Sequence, residues 1–178
     1  MNLKPQDIVF LLKLVANSKK TWTFNKLAVE LGMSPSEVHA AAQRAVASGL
    51  AYKLEGEIHP NIRNLGEFLE HGIRYVFVPK RGAMERGMAT SYVAAPLAQY
   101  FPDDYDSTLV WPDPQGEIRG EAFSPLYKSV PEAAKRDAVL YQLLALVDAL
   151  RGGRAREREL AITELKRMFD QYEEGEKP

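Results

Sequence analysis

The sequence predicts an α+β protein, mainly helical with a small share of strand, organised in three segments: residues 1–62, 63–128 and 129–178. Three observations carry that prediction. Apolar residues recur at helical spacing in the first and last segments. Helix-stop and helix-start residues stand back to back at Gly32 and Ser34-Pro35-Ser36-Glu37. An alternating run follows Gly49 and is broken by a turn pair, Glu55-Gly56.

A first helix is expected from Pro5 to Asn17, because proline suits a first helical turn and Ile8, Leu11, Leu12 and Val15 form one apolar face. Asn17-Ser18-Lys19-Lys20 reads as a loop and offers no small-residue cleavage pattern, so the helix is read as part of a soluble protein and not as a secretory leader. Thr23 caps a second helix carrying Phe24, Leu27, Ala28 and Leu31, and Gly32 ends it in the left-handed conformation. Ser34 and Glu37 form a capping box, with Pro35 at the first helical position. The third helix turns Val38, Ala41, Ala42, Ala45 and Val46 inward and closes at Gly49. A small residue at the helix crossing (Ala28), a turn glycine four residues later and apolar locks at Met33, Val38 and Ala41 define a helix-turn-helix. Leu50 to Leu54 and Glu57 to His59 then make a β-hairpin, the wing of a winged helix, with Glu55 and Glu57 acidic near its tip and Lys53 as its main cation.

In the central segment, Asn64 to Gly72 predicts a short helix and Ile73 to Pro79 a strand. Lys80 to Gly87 reads as a loop whose cations Lys80, Arg81 and Arg86 suit an anion, although the glycine spacing without a Gly-Lys-Ser/Thr end is no nucleotide loop. Ser107 to Trp111 and Glu117 to Arg119 are short strands around an Asp113-Pro114-Gln115-Gly116 turn. Asp103, Asp104 and Asp106 read as a surface loop in preference to a metal site. The aromatics Tyr75, Phe77, Tyr92, Tyr100, Phe101 and Trp111 read as core filling, with a ligand pocket as the alternative.

The last segment is an αα-hairpin. Ser129 caps a helix running to about Leu150, Gly152-Gly153 breaks the chain, and a second helix runs from Ala155 to Tyr172 before a polar tail. The stripe from Val139 through Leu143, Leu144, Leu146 and Val147 to Leu150 is wider than one partner helix needs, so dimerisation or packing on the N-terminal module is expected to cover the excess. Arg151, Arg154, Arg156 and Arg158 gather at the bend.

Composition narrows the function. There is no cysteine, which excludes disulfides, zinc fingers and thiol nucleophiles and fits a reducing, cytoplasmic setting. The three histidines are scattered, no nucleophile–base pair or phosphate loop is present, and no apolar run approaches the ~20 residues that span a bilayer. No catalytic residue, metal or other cofactor is assigned, and the chain is read as a non-enzyme with no membrane partner. The net charge of −1 hides 12 Lys/Arg against 8 Asp/Glu in residues 1–100 and 11 against 16 in residues 101–178. A basic front half suits nucleic acid.

With the third helix in a major groove, Ser36, His39, Ala40, Gln43 and Arg44 face outward. Gln43 suits an adenine edge and Arg44 a guanine edge, each worth ~1–3 kcal/mol of discrimination. Ser34, Ser36, Lys26 and Lys53 are candidate phosphate contacts. Because that helix offers few cations, a homodimer reading two half-sites on double-stranded DNA is expected.

The segments LAVELGMSPSEVH, HGIRYVFVPKRGAMERGMATSYVAAPL, VWPDPQGEIRGEAFSPLYKSVPEAA and LYQLLALVDALRGGRARERELA span most of the chain. Together they resemble a family of bacterial MarR-like, winged helix-turn-helix transcription regulators. The resemblance implies a sequence-specific DNA-binding repressor without catalytic residues. It also implies an alternative, a protein-interaction module or antitoxin that neutralises a partner protein through its C-terminal half.

Overall fold

In the computed structural model, which describes residues 2–18 and 20–176, the chain is α+β, with eight α-helices and five strands among the described residues. Helix α1 (Pro5–Ala16) starts on Pro5 as expected and ends one residue early. Its burial departs from the single apolar face the sequence suggests. Ile8 to Leu12 are all fully buried, because helices pack on α1 from several sides. Two charged residues go in with them: Asp7 is fully buried and Lys13 nearly so. Lys13 is held by Asp137 at 2.7 Å and Glu30 at 3.0 Å, as a buried cation must be.

Helix α2 (Phe24–Leu31) is capped by Thr23, whose hydroxyl accepts from the Lys26 amide at 3.2 Å. Gly32 follows at φ +64°, the left-handed turn the sequence announces. Helix α3 (Pro35–Ala47) carries the expected capping box: the Glu37 amide donates to Ser34 Oγ at 3.2 Å and the Ser34 amide to Glu37 Oε2 at 2.7 Å. Strands β1 (Ala51–Leu54) and β2 (Glu57–Pro60) pair antiparallel around Glu55 and Gly56. Both turn residues have positive φ, 51° and 88°, the twist a two-residue hairpin prefers. Lys19, within the expected first loop, lies outside the described residues, as do the last two positions of the expected tail.

Helix α4 (Ile62–His71) is capped by Asn61, which accepts from the Asn64 amide at 3.1 Å. The strand expected over Ile73 to Pro79 is instead a single helical turn, α5 (Ile73–Val76). β-branched residues favour strands only weakly, and burial of Ile73 in the core overrides that preference. The loop expected over Lys80 to Gly87 is a strand, β3 (Arg81–Ala89). Of its two glycines, Gly82 and Gly87, the second belongs to the strand packing and marks no loop. A Cβ on Gly87 would sit 2.1 Å from the Trp111 carbonyl oxygen, so Gly87 permits a close strand crossing. Strands β4 (Leu109–Pro112) and β5 (Ile118–Phe123) each pair antiparallel with β3 and parallel with one another, closing a three-stranded barrel. Two 3-10 turns, Ser91–Val93 and Leu97–Tyr100, lie between β3 and β4.

The long helix expected from Ser129 to Leu150 is broken into α6 (Val130–Arg136) and α7 (Ala138–Gly152). Asp137 causes the break: its carboxylate caps α7 through the Leu140 amide at 3.0 Å while holding Lys13. Ser129 makes no cap hydrogen bond, and its hydroxyl is buried without a partner. Helix α8 (Ala155–Glu176) continues past Tyr172 into the expected tail.

Every residue of α7 from Leu143 to Arg151 is buried. It packs on α1, α4, α5, α6 and α8, which explains the broad stripe within one chain. Val139, expected inward, is 45 % exposed at the start of α7. The apolar core is continuous through all three sequence segments. Asp148 sits in that core, its carboxylate accepting from Arg151 at 2.7 Å, Thr90 at 2.7 Å and the Trp111 indole at 2.6 Å. Burial pushes its pKa up, and Arg151 and the two neutral donors pull against that. Among the described residues no helix is long and apolar enough to cross a membrane.

Candidate nucleic-acid interface

The outer face of α3 presents Ser36, His39 and Gln43, all exposed, with Ala40 half-buried between them. They fall on one stripe because residues three and four apart share a helix face. The His39 ring stacks on Phe24 of α2 with centroids 3.7 Å apart, and Phe24 meets Trp22 edge-on at 5.3 Å. The imidazole is therefore oriented by an aromatic ledge. Ser34 is exposed, and its hydroxyl, already accepting from the Glu37 amide, still has a proton to donate. Lys26 on α2 and Lys53 on β1 are exposed.

Arg44, expected outward, does not belong to this face. Its guanidinium turns back to α1 and grips Asp7 in a two-pronged pair, Nε–Oδ2 2.8 Å and Nη2–Oδ1 2.6 Å, with only 10 % of the side chain exposed. The hydrogen bonds to Asp7 raise the Arg44 pKa further. Magnitudes decide its role. A guanine contact is worth ~1–3 kcal/mol. Stripping the partner from a buried carboxylate costs ~3–5 kcal/mol. Arg44 is thus retained by the fold. Val46, expected inward, takes up part of the outer surface at 37 % exposure. Nothing local in the sequence joins Asp7 to Arg44, which lie 37 positions apart.

A cleft of about 720 Å³ separates α3 from the β1–β2 hairpin, with Trp22, Phe24, His39, Gln43, Lys53 and His59 among its walls. His59 stacks with Tyr52 across the hairpin at 5.6 Å. At the far edge the last turn of α8 brings Glu176 to 3.4 Å from the Ser18 hydroxyl. The hairpin tip remains acidic, with Glu55 and Glu57 exposed.

The segment before and through α6 also reaches this module, which sequence reasoning missed. The Tyr127 hydroxyl donates to Glu37 Oε1 at 2.6 Å, and Arg136 donates to the Val29 carbonyl at 2.6 Å. Tyr127, followed by the Ser34 amide and hydroxyl, holds the Glu37 carboxyl down to about 2.

Other candidate groups do not converge. Lys80, Arg81 and Arg86 are strung along or beside β3, and Arg81 pairs with Glu121 at 3.3 Å. Asp106 pairs with Arg154 at 2.6 Å, Arg151 is buried on Asp148, and no cluster of three or more metal-ligating side chains occurs among the described residues. Tyr92 and Phe101 pack with Tyr105, Trp111 is fully buried, and Tyr75 is 73 % exposed, so the six aromatics line no common pocket. Comparison with protein-family models, curated proteins and solved structures finds no match for this chain.

Proposed function

We propose that the chain is a winged helix-turn-helix DNA-binding protein, a sequence-specific transcription regulator that reads the major groove with α3. One observation carries the reading: a doubly capped α3, entered from the left-handed turn at Gly32, presents Ser36, His39 and Gln43 along one exposed face beside a hairpin. Gln43 reads an adenine edge, His39 and Ser36 sit at the groove-facing start of the helix, and Ser34, Lys26 and Lys53 contact phosphates. Without Arg44, α3 supplies no free cation to the groove, and a homodimer acting as a repressor on paired half-sites compensates for weak single-site binding.

Fluorescence anisotropy with duplex DNA from upstream of the chain's own gene, at two salt concentrations and with scrambled competitor, tests this. Specific binding that weakens with salt is expected, and Gln43→Ala should lower it on the order of 5- to 150-fold, the equivalent of ~1–3 kcal/mol, without changing non-specific binding. Equal loss on both DNAs would mean that Gln43 reads no base. The alternative is partner neutralisation through the apolar and acidic C-terminal half, in which the α7 stripe from Leu143 to Leu150 is buried within the chain while Val139 is exposed.

A further inference from the structure

We propose that Lys128 and Arg136 extend the DNA interface, holding backbone phosphates on the side of α3 opposite the hairpin. The inference rests on the DNA-binding reading and adds a part of the chain that the N-terminal module does not contain. A polyanion demands cations, and α3 has none to spare once Arg44 is locked on Asp7. On the hairpin side, Lys53 supplies charge. On the other side the chain brings its own supply.

Three contacts fix that second rail to the helix pair. Tyr127 is hydrogen-bonded to Glu37 in the first turn of α3 at 2.6 Å. Ser129 lies against the turn between the helices, where a Cβ on Gly32 would meet Ser129 Cβ at 3.2 Å. Arg136 donates to the carbonyl of Val29 in α2 at 2.6 Å. Between these anchors Lys128 is exposed, its ammonium 5.8 Å above the Tyr127 ring, and it lies near enough to help depress the Glu37 pKa. Arg136 is exposed and has guanidinium donors beyond the one it gives Val29. Among the described residues neither cation is within 4.0 Å of a carboxylate. Lys135, next to Arg136 in sequence, is different: Asp113 at 2.5 Å and Glu132 at 2.9 Å already neutralise it. The result is a hydrogen-bonding reading face with Lys128 and Arg136 along one edge and Lys53, on a hairpin whose tip is acidic, along the other; phosphate contacts on the first edge flank a base-lined groove.

Salt dependence reads the number of phosphate contacts directly. Each contact adds ~0.9 to the slope of log affinity against log salt, which amounts to about eightfold at 0.1 M relative to 1 M. On the DNA that the full-length protein binds, Lys128→Ala and Arg136→Ala should each flatten the slope by ~0.9 and weaken binding on the order of eightfold at 0.1 M salt. Lys135→Ala should leave the slope unchanged. Thermal melts identify any variant that fails to fold, and Lys128→Ala, which removes no side-chain hydrogen bond among the described residues, keeps the test open if Arg136→Ala does fail. Wild-type slopes in Lys128→Ala, or equal flattening by Lys135→Ala, would overturn the inference while leaving the DNA-binding reading intact. Wild-type protein that binds no duplex at all would overturn both.

Discussion

The guanidinium of Arg44 shows how much a single side chain's destination depends on a partner distant in sequence. Position 44 lies on α3 where a base-reading arginine would serve, and the helical register alone points it toward solvent. The deciding fact is Asp7, placed in the first turn of α1, where it accepts from the Lys4 amide at 2.8 Å and then requires a cation once α3 covers it. Asp7→Ala and Arg44→Ala should therefore each cost ~3–5 kcal/mol of stability, because each leaves the other charge buried and unpaired. Replacing both by apolar residues of similar volume should cost much less than the sum, since the unpaired charge is then gone. Urea unfolding of the two single variants and of Asp7→Leu/Arg44→Met measures this directly. Additive losses would show that the two residues act separately. Arg44→Ala should also reduce DNA binding at every sequence alike, in proportion to the folded fraction.

Between elements, legibility followed locality. Thr23, Gly32, Ser34 with Glu37, and the hairpin turn all act within a few residues, and each occupies the role its sequence neighbourhood implies. Strand β3 had no such signal: its residues from Arg81 to Arg86 are exposed, so no apolar alternation marks it, and its pairing partners lie 21 to 42 positions away. The break at Asp137 was equally silent, because the residue that stops α6 is answered by Lys13 in α1. Tyr127 and Glu37 are a third such pair. With its folded pKa near 2 against an ordinary 4.5, Glu37 contributes stability that is fully present above pH 4.5 and is lost as pH falls toward 2. Removing the hydroxyl in Tyr127→Phe returns the carboxyl toward 4.5. The stability gap between wild type and variant should then be widest above pH 4.5 and shrink as pH drops toward 2. Urea midpoints across that range provide the check, and a gap independent of pH would show that Tyr127 acts without favouring the ionised carboxylate.

At the scale of the whole molecule, the three sequence segments meet on one helix. Helix α7 passes between α1 of the first segment, α4 and α5 of the second and α8 of the third, with Asp148 taking hydrogen bonds from β4, from Thr90 and from its own helix. Arg151 extends this junction by donating to the carbonyls of Phe77 at 2.9 Å and Ser124 at 3.2 Å. A polar knot of this kind holds only while every member is satisfied, so Asp148→Ala should cost ~3–5 kcal/mol by stranding the Arg151 charge in the core. The two tryptophans show whether that loss is shared. Trp22 stands on the N-terminal module beside Phe10 and Phe24, whereas Trp111 donates its indole N–H to Asp148. In Trp111→Phe and Trp22→Phe backgrounds each reports a different part of the molecule. If α7 ties the segments into one cooperative unit, Asp148→Ala shifts each reporter's unfolding midpoint by the same amount relative to its own background. A Trp22 transition that stays in place while that of Trp111 moves would mean that the N-terminal module unfolds on its own, with its helices supported by their caps and by the Asp7–Arg44 pair.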